Sequence, residues 1–116
     1  MATSTIPMAA ESLQDVTLTL DTSKVAIRDW GRVAARKAGS LLIINGHGLY
    51  TLTNIGNETQ VGTLSGVSGV PACSVAVKVD GQSEPGIAMV NGNTLRLINV
   101  QNADKAMYFT LVAPLV

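Results

Sequence analysis

The stretch Gly86–Val100 constrains what this chain can fold into more than any other. It reads GIAMVNGNTLRLINV, two β-favouring apolar runs, Gly86–Val90 and Thr94–Val100, broken by Asn91-Gly92-Asn93. Asn-Gly between such runs is a strong hairpin signal, because both residues accept the positive φ of a turn whose twist matches the strands. Side chains alternate across a strand, so Leu95 and Leu97 share one face while Thr94, Arg96 and Ile98 share the other. The expectation is a core hairpin of an antiparallel sheet. No catalytic side chain stands near it.

The same signature recurs along the chain. Asp15–Leu20 alternates without a break, with Val16, Leu18 and Leu20 inward, and Asp21-Thr22-Ser23 supplies turn chemistry before Val25-Ala26-Ile27. Leu41–Asn45 and Leu49–Thr53 read as a second hairpin, with His47 at its tip between Gly46 and Gly48. Thr59–Val67, Ser74–Val79 and Ala106–Val112 complete the set. Arg28–Ser40 fits two patterns. Arg28, Arg32 and Arg36 recur every fourth residue, as on a helical face, yet Gly31 interrupts the middle and Arg32–Lys37 suits a strand edged with charge. The strand is preferred, because everything else is strand and turn. About nine short strands with regular turn signals predict an all-β antiparallel sandwich or jelly-roll-like barrel.

At 116 residues the chain is long enough for one domain with a substantial core. Residues 1–14 are small, polar and aperiodic, which sets off an N-terminal arm from a β domain at 15–116. The arm is either a flexible tail or a segment that orders on a neighbour, with Ile6, Pro7 and Met8 as its apolar contact. Charged residues make up only 14% against 47% hydrophobic, too little charge to cover a monomer, so part of the surface is expected to be buried against other subunits. Eight basic and eight acidic residues cancel, leaving no global field to attract nucleic acid or an anionic membrane. No apolar run reaches the length of a membrane span and no signal peptide opens the sequence. The expectation is a soluble protein made in the cytosol from its own Met1. Cys73 has no partner for an internal disulfide and reads as a small buried hydrophobe.

The search for reactive groups finds little. His47 is the sole histidine and has no ligand-type neighbours in sequence, so it predicts no metal site. Ser65 and Ser68 lie among glycines but outside a Gly-x-Ser-x-Gly pattern. The carboxylates are scattered singly, with Asp80 and Glu84 the nearest loop pair and no hydrolytic motif around them, and Gly62–Gly69 lacks the Lys-Ser/Thr ending of a phosphate loop. Asn57-Glu58-Thr59 matches a glycosylation sequon, which matters only on a secretory route. No catalytic, cofactor or metal site is predicted, and the chain does not read as an enzyme. Sugar recognition exploits exposed aromatic faces, and Trp30, between Asp29 and Gly31, is the best candidate for one. His47, Asn57 and Glu84 join it as possible ligand-facing loop residues. Tyr108 and Phe109, with Leu95 and Leu97, read as core or inter-subunit packing.

One pattern is familiar. Leu49–Gly56, Gly62–Val67, Gly86-Ile87-Ala88, Asn91–Leu97 and Tyr108–Leu111 together resemble the small trimeric β-sandwich modules of tailed-bacteriophage virion proteins, found in capsid decorations, head fibres and fibre tips. The resemblance spans roughly residues 15–116. It implies a homotrimer with apolar strand faces between subunits, located in the virion after synthesis in the bacterial cytoplasm. No shaft or coiled-coil stem precedes the module, which favours a capsid decoration or head-fibre knob held to the major capsid protein by its arm. The alternative is a fibre-tip module that recognises host cell-surface glycans. Sedimentation equilibrium at micromolar concentration is expected to return three chains per particle, and a monomer would contradict the subunit-interface reading.

Overall fold

Strands that bury every second side chain need a facing apolar surface, and here the sheet provides it by closing on itself. The computed structural model describes residues 13–115. Eight antiparallel strands lie among them: β1 (Leu13–Leu20), β2 (Val25–Ala38), β3 (Leu41–Thr51), β4 (Thr59–Ser65), β5 (Val70–Val79), β6 (Gly86–Gly92), β7 (Thr94–Ile98) and β8 (Met107–Pro114). Their order around a closed barrel is β1-β2-β3-β8-β5-β6-β7-β4. Two three-stranded meanders, β1-β2-β3 and β5-β6-β7, are thus joined through β8 on one side and β4 on the other.

The barrel is flattened because β1 and β5 change partner part-way along. Leu13–Val16 pairs with β2 and Thr17–Leu20 with β4. Likewise Val70–Val77 pairs with β6 and the last two residues of β5 with β8. Strands that turn a corner in this way give a barrel two sandwich-like faces. Leu42, Ile44, Leu49, Val61, Val77, Leu95, Leu97, Met107 and Leu111 fill the interior and are fully buried. Each such side chain contributes about 1.5–3 kcal/mol of transfer free energy.

The strand count falls to eight because two expected interruptions bend strands without ending them. Arg28–Ser40 is strand for most of its length, and β2 runs unbroken from Val25 to Ala38. Its four residues Arg28–Gly31 bulge out between the pairs Ile27↔Leu49 and Arg32↔His47. The predicted Leu41–Thr53 hairpin does not form: His47 lies inside the single strand β3, paired with Arg32 on one side and Tyr108 on the other. The physical reason is Gly48. Its φ of +81° is used for a β-bulge, leaving one extra residue against the β8 pairs at His47 and Leu49.

The Gly86–Val100 hairpin forms, with its turn shifted by one residue. Asn91 pairs with Thr94, so the central residues are Gly92 and Asn93, and of the two only Gly92 has positive φ, at +68°. Glycine in the first central position with an ordinary second residue is the type II′ pattern, in place of the type I′ turn that Asn-Gly suggests. The Asn91 carbonyl also accepts a hydrogen bond from Thr94 Oγ1 at 2.8 Å, which holds the turn closed. No atom lies within 4 Å of a Cβ built on Gly92, so substitution there strains the backbone alone. Gly92→Val is expected to cost about 1–3 kcal/mol, read as a lowered melting temperature. An unchanged melting temperature would refute the turn assignment.

Candidate functional site

Successive residues of a strand face opposite sides, so the outer wall of β2, β3 and β8 is set by the parity that fixes the core. Ile44 and Gly46 of β3 and Phe109 and Leu111 of β8 are buried. Asn45, His47, Tyr108 and Thr110 point outward between them. Register aligns Arg32, His47, Tyr108 and Lys78 in one row across β2, β3, β8 and β5. The row beside it holds Ala34, Asn45 and Thr110.

Trp30 reaches this wall from the β2 bulge. Its ring lies nearly parallel to that of Tyr108, with centroids 6.2 Å apart and 18° between planes. His47 sits edge-on to both, 5.7 Å from Trp30 and 4.9 Å from Tyr108. Three aromatic rings from three strands therefore form one surface, and the indole remains 57% exposed. With Arg32, Asn45, Gly46, Phe109 and Thr110 they line a groove of ≈ 690 Å³.

Glycines make this approach possible. A Cβ on Gly48 would lie 2.8 Å from the Trp30 ring, and one on Gly31 would lie 2.9 Å from the His47 carbonyl oxygen. Neither distance is sterically allowed, so both positions must be bare for the bulge to fold down onto β3. On the inner side a Cβ on Gly46 would collide with the Phe109 ring, which occupies the space a side chain at 46 would fill. The start of the bulge is pinned separately. The Arg28 guanidinium stacks over Tyr50 at 4.0 Å from the ring centroid and donates a hydrogen bond to the Asp104 carbonyl.

The polar groups around the rings are oriented too. Thr110 Oγ1 donates to Asn45 Oδ1 at 3.1 Å, which leaves the Asn45 amide nitrogen for another acceptor. The Tyr108 hydroxyl donates to Asp80 Oδ2 at 3.3 Å. Packing of the phenol among its neighbours pushes its pKa above the ordinary tyrosine value, and the negative charge of Asp80 pushes the same way. Tyr108 therefore stays a neutral donor at physiological pH.

Trp30 and His47, separate in the sequence reading, thus meet in one groove, although His47 occupies a strand and not a loop tip. Asn57 and Glu84 do not line it. They lie in the β3–β4 and β5–β6 loops, where the Asn57 carbonyl accepts from Thr59 Oγ1 and the Glu84 carbonyl from Gln82 Nε2. Leu95, Leu97 and Phe109 are core, whereas Tyr108 faces outward as part of the aromatic surface. Cys73 is half-buried, its sulfur 3.4 Å from the Val112 carbonyl oxygen. Ile6, Pro7 and Met8 lie outside the described residues. Among those described, no three His, Cys, Asp or Glu side chains come together as a metal site. Sequence reasoning missed Asn45, Arg32 and Thr110. Their signal was available only through register, since outward polar positions become neighbours once the strands are paired.

No family model and no curated protein matches the chain. Among solved structures, it is similar to the head domain of phage bIL170, a structure concerned with the receptor-binding domains of lactococcal phages. The TM-score is 0.67 over 90% of this chain and 97% of that one, at 18% sequence identity. The likeness is one of fold. It spans this chain's barrel almost end to end.

The Asp80 contact predicts a titration. In a Tyr50→Phe background, absorbance should place Tyr108 ionisation above the usual value of 10.0, and Asp80→Asn should lower it part of the way, since packing persists. No change on Asp80→Asn would exclude the contact.

Proposed function

We propose that this chain is a non-enzymatic receptor-binding module of a phage virion, and that it recognises saccharide on a host cell surface through the Trp30–His47–Tyr108 groove. The observation that carries this reading is an aromatic surface on an outer wall, with a tryptophan more than half exposed at its rim. Exposing such a ring to solvent has no structural purpose, whereas the apolar face of a sugar ring packs on it and excludes water. Arg32, Asn45, His47 and Thr110 surround the rings with donors and acceptors for hydroxyl groups. The groove is built on strands, so its geometry is fixed before binding and little ordering entropy is lost.

The likeness to a phage head domain described among receptor-binding domains favours the same reading over a capsid-decoration knob, which has no use for the groove. Assembly as a homotrimer accords with both. Three grooves on one particle would raise weak single-site affinity by avidity.

Labelled protein is expected to bind a subset of a bacterial surface-polysaccharide array. Trp30→Ala should fold normally, because the side chain is exposed, and lose about 2 kcal/mol of binding, roughly 30-fold in Kd. Absence of array binding, together with tight co-sedimentation on undecorated phage capsids, would replace this reading by the decoration role.

A further inference from the structure

Tyr108 belongs to two grooves. Besides the groove it shares with Trp30 and His47, it lines another, of ≈ 360 Å³, together with Ala76, Lys78, Gln82, Ser83 and Pro85. We infer that this groove is a second subsite continuous with the first, so that the ligand is a saccharide chain of at least two units laid across Tyr108. The inference rests on the saccharide reading of the first groove and adds its length and direction: along the row His47–Tyr108–Lys78, across the strands.

Three features support it. The two grooves share one lining residue, Tyr108, a neutral phenol held in place by Asp80 at 3.3 Å. The row from His47 on β3 to Lys78 on β5 crosses two strand spacings, about 10 Å, which is longer than a single pyranose ring. The far side of the second groove is also preorganised. The Gln82 side chain donates to the Glu84 and Asn99 carbonyls at 2.6 and 2.9 Å and accepts from the Gln101 amide at 2.9 Å. Asn99 Nδ2 donates to the Pro85 carbonyl at 3.3 Å. These bonds consume the Gln82 amide and lock the β5–β6 loop, so Gln82 is scaffold. Ser83 and Lys78 are exposed on the groove and make no side-chain hydrogen bond among the described residues, which leaves a hydroxyl and an ammonium for sugar oxygens.

Calorimetric titration with chito-, cello- and isomalto-oligosaccharides of one to four units tests this. For a series that binds, wild-type affinity should rise about tenfold or more between one unit and three, as the second groove fills. The double variant Lys78→Ala/Ser83→Ala should bind the single unit as wild type does and lose the gain with length. Trp30→Ala should weaken binding roughly 30-fold at every length. Length-independent affinity in the wild type, or a gain that survives in the double variant, would overturn the second subsite and leave the first groove standing. Failure of wild type to bind any member would overturn both. Unchanged melting curves establish that the variants are folded, and both substituted positions are exposed.

Discussion

A left-handed glycine in the middle of β3 governs most of what is distinctive in this molecule. At Gly48 the chain takes a conformation that costs a residue with a side chain about 1 kcal/mol or more, and uses it to insert one residue against β8 without leaving the sheet. Opposite it, β2 inserts four residues, Arg28–Gly31. The mismatch must go somewhere, and it goes outward, carrying Trp30 onto the wall beside Tyr108. A tight turn at the same place would have ended β3 and left His47 on a loop. The aromatic surface is therefore a by-product of the way two long strands remain paired around an irregularity.

Much of the barrel was legible from residue order. Alternation in Asp15–Leu20, Ser74–Val79 and Thr94–Ile98 fixed which side chains face inward, because period-two patterning admits only one burial when one face is wet. The outcome at Gly46-His47-Gly48 was not legible. Glycine marks positive φ, but the same φ serves a turn or a bulge, and only pairing with β2 and β8 decides between them. At Asn91-Gly92 the ambiguity was smaller and of the same kind. Asn-Gly favours one primed turn, and the register of Val90↔Leu95 and Asn91↔Thr94 selected the other.

The groove was legible residue by residue and illegible as a site. Trp30 stood out because an aromatic between Asp29 and Gly31 has no periodic reason to be buried. Its neighbours Tyr108 and Thr110 come from the last strand, nearly eighty residues later, and belong beside it only because β8 inserts between β3 and β5. That insertion is a topological fact with no local sequence signal. Tyr108 and Phe109 show the consequence at single-residue scale: adjacent aromatics with similar propensities take opposite fates, Phe109 packing inward against Gly46 and Tyr108 joining the outer aromatic surface.

The same alternation separates two kinds of selection. Along β3 and β8, even and odd positions answer to different demands: Ile44, Gly46, Phe109 and Leu111 to stability, and Asn45, His47, Tyr108 and Thr110 to whatever the wall touches. A change at one set leaves the other nearly undisturbed, since neighbouring side chains on a strand do not meet. A protein built this way can exchange its outer surface one amino acid at a time while its interior stays constant.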